Sequence, residues 1–125
     1  MHVGLFLKIK GSICILFAIA ALIAPGFAAG LYGIQMDFSG LYFGQLFGAT
    51  FLAIGLICWL ASGAPGSELK GNLLLALAIA DTVGTGFTLY HQVTGPINAL
   101  GWFTVILWAV FAAGCWLFRT EASTA

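Results

Sequence analysis

The stretch LALAIADTVGTGFTLYHQ, residues 75–92, opens as membrane sequence and then sets a carboxylate, Asp81, into its apolar part. Counting along a helix from Asp81 gives Thr85 at i+4, Thr88 at i+7 and Gln92 at i+11, which form one continuous face. In a span that starts at Asn72, Asp81 lies about 13–14 Å in, close to the middle of a ~30 Å hydrocarbon core. A carboxylate at that depth costs about 2.5–3.5 kcal/mol on insertion scales, so something must offset it. The polar stripe Asp81, Thr85, Thr88, Gln92 therefore faces the interior of a helix bundle. Gly84, at i+3, flanks it and admits a close neighbour.

The whole chain has the same character. Of its 125 residues, 62% are hydrophobic and 6% charged, against about 25% charged in a soluble domain. Lipid is the solvent for most of the length. Four Lys+Arg balance four Asp+Glu. With no basic patch, nucleic acid is excluded as a partner, and there is no polybasic run for anionic headgroups.

The charges act as punctuation and predict four spans, about 11–31, 41–62, 72–93 and 98–118, making one all-α, four-helix antiparallel transmembrane domain over 1–125. The links agree: YGIQMDFSG (32–40) and SGAPGSELKGN (62–72) carry turn-forming residues, and VTGPIN (93–98) is a tight turn at Gly95-Pro96. Lys8, Lys10, Lys70 and Arg119 all fall on one side of this layout, which puts both termini in the cytoplasm of a bacterial inner membrane. The opening 1–29 also has the parts of a cleavable signal peptide, with small residues at Ala28-Ala29. Its apolar run continues to Tyr32, longer than such a peptide needs, so a retained helix is the reading adopted. Pro25 should kink or end that first helix. In this layout no Lys or Arg lies inside a span. Asp81 is then left with neutral polar partners or protonation.

Span two carries Gly40, Gly44, Gly48 and Gly55, steps of four, four and seven on one face, with Gln45 beside them. Such a groove lets helices approach closely, which matters where hydrophobicity cannot drive association. Packing inside the protomer is preferred over a dimer face. Cys14, Cys58 and Cys115 form no CxxC pair and fall near the cytoplasmic helix ends. The triplet Cys-Trp-Leu occurs at 58–60 and 115–117, which reads better as coincidence than as duplication. His91 has only His2 as a fellow histidine, on the opposite side, so a bis-histidine haem is excluded. Met36, Asp37 and His91 share one side without a metal signature, so no metal or other cofactor is expected. No Ser/His/Asp set assembles on one side, and an enzyme is not supported.

The segments FSGLYFGQLFGATFLAIGLICWLA (38–61) and VTGPINALGWFTVILWAVF (93–111) resemble the small four-helix membrane proteins widespread in bacteria and, more distantly, the DoxX-like family. The resemblance implies a four-helix fold and a membrane location and carries no activity. That family often has an Arg at the start of the second helix. Here the place is held by Gln45 or a neighbour, so the role of that Arg does not transfer.

Three readings of Asp81 follow: interhelical glue, a proton or cation site, and a ligand-binding or catalytic site. The leading expectation is a non-enzymatic accessory or scaffold protein, packing in the bilayer with itself or a larger membrane complex. The alternative is a small proton- or cation-coupled transporter using Asp81.

Overall fold

The computed structural model describes residues 2–124. Its elements are α1 (His2–Ile23), α2 (Pro25–Leu31), α3 (Phe38–Ser62), α4 (Glu68–Thr94) and α5 (Leu100–Ser123). α1, α3, α4 and α5 are each long and apolar enough to cross a membrane, as a multi-pass membrane protein requires.

Local chemistry sets the boundaries. Asp37 caps α3, its side chain accepting from the Gly40 amide at 2.8 Å, and Ser67 caps α4 by accepting from Lys70 N at 3.1 Å. The expected first span, 11–31, is corrected in two ways. α1 begins nine residues earlier, because the helix runs on through Lys8 and Lys10, where charge alone suggested an end. The run is then divided at Ala24, with φ −139° and ψ 60°, and a separate short helix restarts at Pro25. Proline has no amide proton for the preceding turn and suits a first helical position. Gly33, at φ +77°, turns the chain after α2. The expected spans 41–62, 72–93 and 98–118 correspond to α3, α4 and α5 with ends shifted by at most five residues.

The helices pack as two pairs, α1 with α3 and α4 with α5. Small residues bring the first pair together. A methyl group added at Gly11 would lie 2.8 Å from the Gly55 carbonyl oxygen, and one at Gly48 would lie 3.0 Å from Ala21 Cβ. Gln45 Nε2 donates to the Leu22 carbonyl at 3.1 Å. α1 thus fills the glycine groove at Gly48 and Gly55, while Gly40 and Gly44 face Met36 and Pro25. In the second pair, Gly71 abuts Ser123 and Gly84 receives the ring of Trp108.

The Cys-Trp-Leu triplet plays the same part in both pairs. Cys58 and Cys115 are fully buried. Trp59 Nε1 donates to Ser12 Oγ across the first pair at 3.1 Å, and Trp116 Nε1 donates to Thr82 Oγ1 across the second at 3.0 Å. The cysteines are thus interior side chains of the bundle; Cys58 stays near the end of α3, as its sequence position suggested, while Cys14 lies mid-helix because α1 starts at His2. Each follows the inward stripe of its helix.

The two pairs are fastened to each other at both ends. At the end carrying the termini, Val3, Leu7, Cys58, Leu74 and Ala122 form a buried cluster that joins four helices. At the far end, the α4–α5 turn is tied to the end of α2. Asn98 N donates to the Tyr32 carbonyl at 3.0 Å, and Asn98 Nδ2 donates to that of Leu31 at 2.9 Å. Tyr32 Oη and Thr104 Oγ1 share a hydrogen bond at 2.7 Å. Among the described residues, α3 and α4 touch far less than either touches its packing partner. Large apolar side chains such as Leu16, Phe43, Leu60, Ile106 and Leu117 cover the outside.

Candidate functional site

Asp81 sits at the centre of α4, with 13 residues to Glu68 and 13 to Thr94. Its partner is Lys10 of α1, whose Nζ donates to Asp81 Oδ2 at 2.7 Å. The side chains are 2% and 5% exposed, so this is a buried ion pair between the two helix pairs. It corrects the expectation that no basic side chain is available to Asp81. Lys10 belongs to the inward stripe Val3, Leu7, Lys10, Gly11, Cys14, Ala18 of α1. Its four-carbon stem carries the ammonium along that stripe to the carboxylate.

The pair has other neighbours. Lys10 Nζ lies 4.5 Å from the centroid of the Phe111 ring, a cation–π contact. The Cys115 thiol is 3.7 Å from Asp81 Oδ2, a weak donor contact. A buried ion pair is costly to desolvate, and its mutual attraction offsets that cost only when geometry is good. Placing opposite charges on α1 and α4 makes correct docking of the two pairs a condition for burying either one.

Above the ion pair, toward the far end, the bundle holds a partly open cavity of about 420 Å³. That size lies within the ~300–1,000 Å³ range of small-molecule sites. Lys10 and Asp81 are part of its lining, and the rest is mostly apolar and aromatic, with Phe51, Trp108 and Phe111 prominent. Phe51 of α3 and Trp108 of α5 meet across the bundle with ring centroids 5.9 Å apart. Phe47 of α3 and Phe87 of α4 also line the cavity, yet are 49% and 63% exposed on the outside. The α3–α4 side is thus its thinnest wall.

Of the polar stripe read from the sequence, Asp81, Thr88 and Gln92 line this cavity. Thr85 does not: its hydroxyl donates to the Asp81 carbonyl of its own helix at 2.7 Å. Thr88 likewise bonds back to Gly84 O, at 2.8 Å, a habit of helical threonines that satisfies the hydroxyl locally. Gln92 is 9% exposed and donates to the Asn98 carbonyl at 3.0 Å. Its Oε1 is buried beside Gly101 with no hydrogen-bond partner among the described residues. An orphaned buried acceptor costs about 1–3 kcal/mol. His91, Tyr32 and Thr104 complete the polar groups of the far end.

Sequence reasoning missed Lys10, Tyr32 and Thr104 as parts of one site. For Lys10 a signal existed in the spacing of Leu7, Lys10 and Cys14. Tyr32 and Thr104 come together only through the docking of the α4–α5 turn on α2. Asp37 is committed to capping α3, and among the described residues no three His, Cys, Asp or Glu side chains gather as a metal site would need. No protein-family model, curated protein or solved structure matches the chain.

Proposed function

We propose that this is a multi-pass protein of the bacterial inner membrane, with both termini cytoplasmic, that binds a small lipophilic molecule inside its helix bundle. The carrying observation is the cavity of about 420 Å³ with the Lys10–Asp81 ion pair in its lining. The opposed run of contacts along each pair, Gly11 on Gly55 but Ala21 on Gly48, supports an antiparallel bundle. Lys8, Lys70 and Arg119 at the terminal end support the orientation. A four-helix layout of the DoxX-like kind fits this reading.

The accessory-protein reading leaned on the glycine groove of α3, much of which α1 occupies. It keeps the support of the apolar outer surface, a covering that lipid alone also accounts for. A cation carrier using Asp81 would have to displace the Lys10 ammonium first.

The test is native mass spectrometry of the protein released from mild detergent. A small-molecule adduct of constant mass is expected, lost when Leu107→Trp fills the cavity. A stoichiometric protein partner with no such adduct would return the accessory reading to first place.

A further inference from the structure

The cavity joins two features that together specify the head of a ligand. Its lining includes an ion pair whose charges cancel, and the walls around that pair are apolar and aromatic. A net charge brought in without a partner would stay unpaired at low dielectric. An anion held by a spare Lys10 donor would leave the site net negative, and a cation held by Asp81 would leave it net positive. Either way one charge is buried without a partner.

A neutral group meets a different situation. An ammonium has three donors, and Asp81 is the only residue among those described that accepts a hydrogen bond from Lys10. A carboxylate offers about four lone-pair positions, and Asp81 receives one lysine donor and one weak thiol contact. The pair can therefore both donate to and accept from a third group without being broken. A hydroxyl does both with one atom. At the other end of the cavity, Gln92 Oε1 remains an acceptor without a donor among the described residues.

We infer that the cavity takes a neutral, aromatic or alkyl-bodied molecule with a hydroxyl-type head, seated on Lys10 and Asp81, with its apolar body between Phe51, Trp108 and Phe111. This rests on the ligand-binding reading above and adds the charge and chemistry of the ligand. The thin α3–α4 wall, with Phe47 and Phe87 at its lipid-facing surface, suits an occupant that arrives dissolved in the bilayer.

The experiment uses the full chain in lipid nanodiscs and four probes of similar body: 4-octylphenol, octylbenzene, 4-octylbenzoate and 4-octylbenzyltrimethylammonium. Saturable binding is read from native mass spectra and from the shift in melting temperature. The expected result is 1:1 binding of 4-octylphenol about tenfold tighter than octylbenzene, the return of one hydrogen bond to a charged group. Both charged probes should bind more weakly than the phenol. In the Lys10→Met/Asp81→Leu double variant the phenol should lose its advantage while octylbenzene still binds, which also reports that the cavity is intact. Equal binding of phenol and octylbenzene by the native chain would overturn the inference and leave the binding reading standing. Tighter binding of a charged probe would overturn the neutral class. If none of the four binds saturably, the binding reading itself fails. The native-chain comparison decides these outcomes even if the double variant does not fold.

Discussion

Lys10 Nζ and Asp81 Oδ2 lie 2.7 Å apart between two helices whose residues are 71 positions distant in the chain, and neither side chain is more than 5% exposed. Each charge sits in a different helix pair, so the pairs cannot separate or slide without stranding both. Removing one partner should therefore cost far more than removing both. Asp81→Leu or Lys10→Met alone is expected to destabilise the fold by about 3–5 kcal/mol, and the double variant to recover most of that loss. Unfolding titrations of the three variants and the parent in mixed micelles give the coupling energy directly. Additive losses would show that the pair does not hold the bundle.

Two glycines of α4, two residues apart, should respond with opposite signs. A methyl at Gly84 would meet Trp108 ring carbons at 2.5 Å, whereas one at Gly86 meets nothing within 4 Å. Gly84→Ala should lower the melting temperature by displacing Trp108 from α4. Gly86→Ala should raise stability by about 0.5–1 kcal/mol, the usual gain of alanine over glycine inside a helix. Thermal unfolding of the two variants side by side separates packing from propensity.

Gly11 and Gly55 set the closeness of α1 and α3. Gly55→Val would drive a side chain into Ile15 and the Gly11 carbonyl, contacts of 2.6 and 2.9 Å already for a single methyl. Loss of folded protein is expected, whereas Gly30→Ala, with open space around it, should be tolerated. Monodispersity of the two variants in detergent checks this. A folded, fully stable Gly55→Val chain would mean that the first pair is not held by close backbone approach.

The far end depends on two ties between α2 and the α4–α5 unit. Tyr32→Phe removes the bond to Thr104, and Asn98→Ala removes two side-chain bonds, one to the Leu31 carbonyl and one from the Leu100 amide. The first should cost about 1 kcal/mol and the second about twice that, at the usual net worth of a hydrogen bond. The Tyr32 change should also alter ligand uptake more than the Asn98 change, because Tyr32 lines the cavity and Asn98 does not. Paired melting and probe-binding measurements distinguish the two effects.

Cys14, Cys58 and Cys115 are free and at most 1% exposed. Maleimide should leave the native protein unlabelled and add three groups after denaturation. Labelling of the native protein at Cys115 would show that the cavity admits polar reagents down to the Asp81 level.

Periodicity and charge, read along the chain, determined much of this molecule. The number of long helices, the breaks near 32–37, 62–67 and 95–98, and the inward face of Asp81, Thr88 and Gln92 all follow from residue spacing and the cost of burying polar groups. The glycine steps of α3 announced a close helix contact, and Pro25 a break. Tertiary structure alone decided the partners. A charge count ends a span at Lys10, because it treats a lysine as belonging to water. The folded chain instead carries α1 on to His2 and brings that lysine to a carboxylate on α4, since attraction between two buried charges offsets a desolvation that neither meets alone. The cavity was likewise invisible in sequence. It is the space left where two well-packed helix pairs are fastened at their ends, and its volume belongs to no single residue.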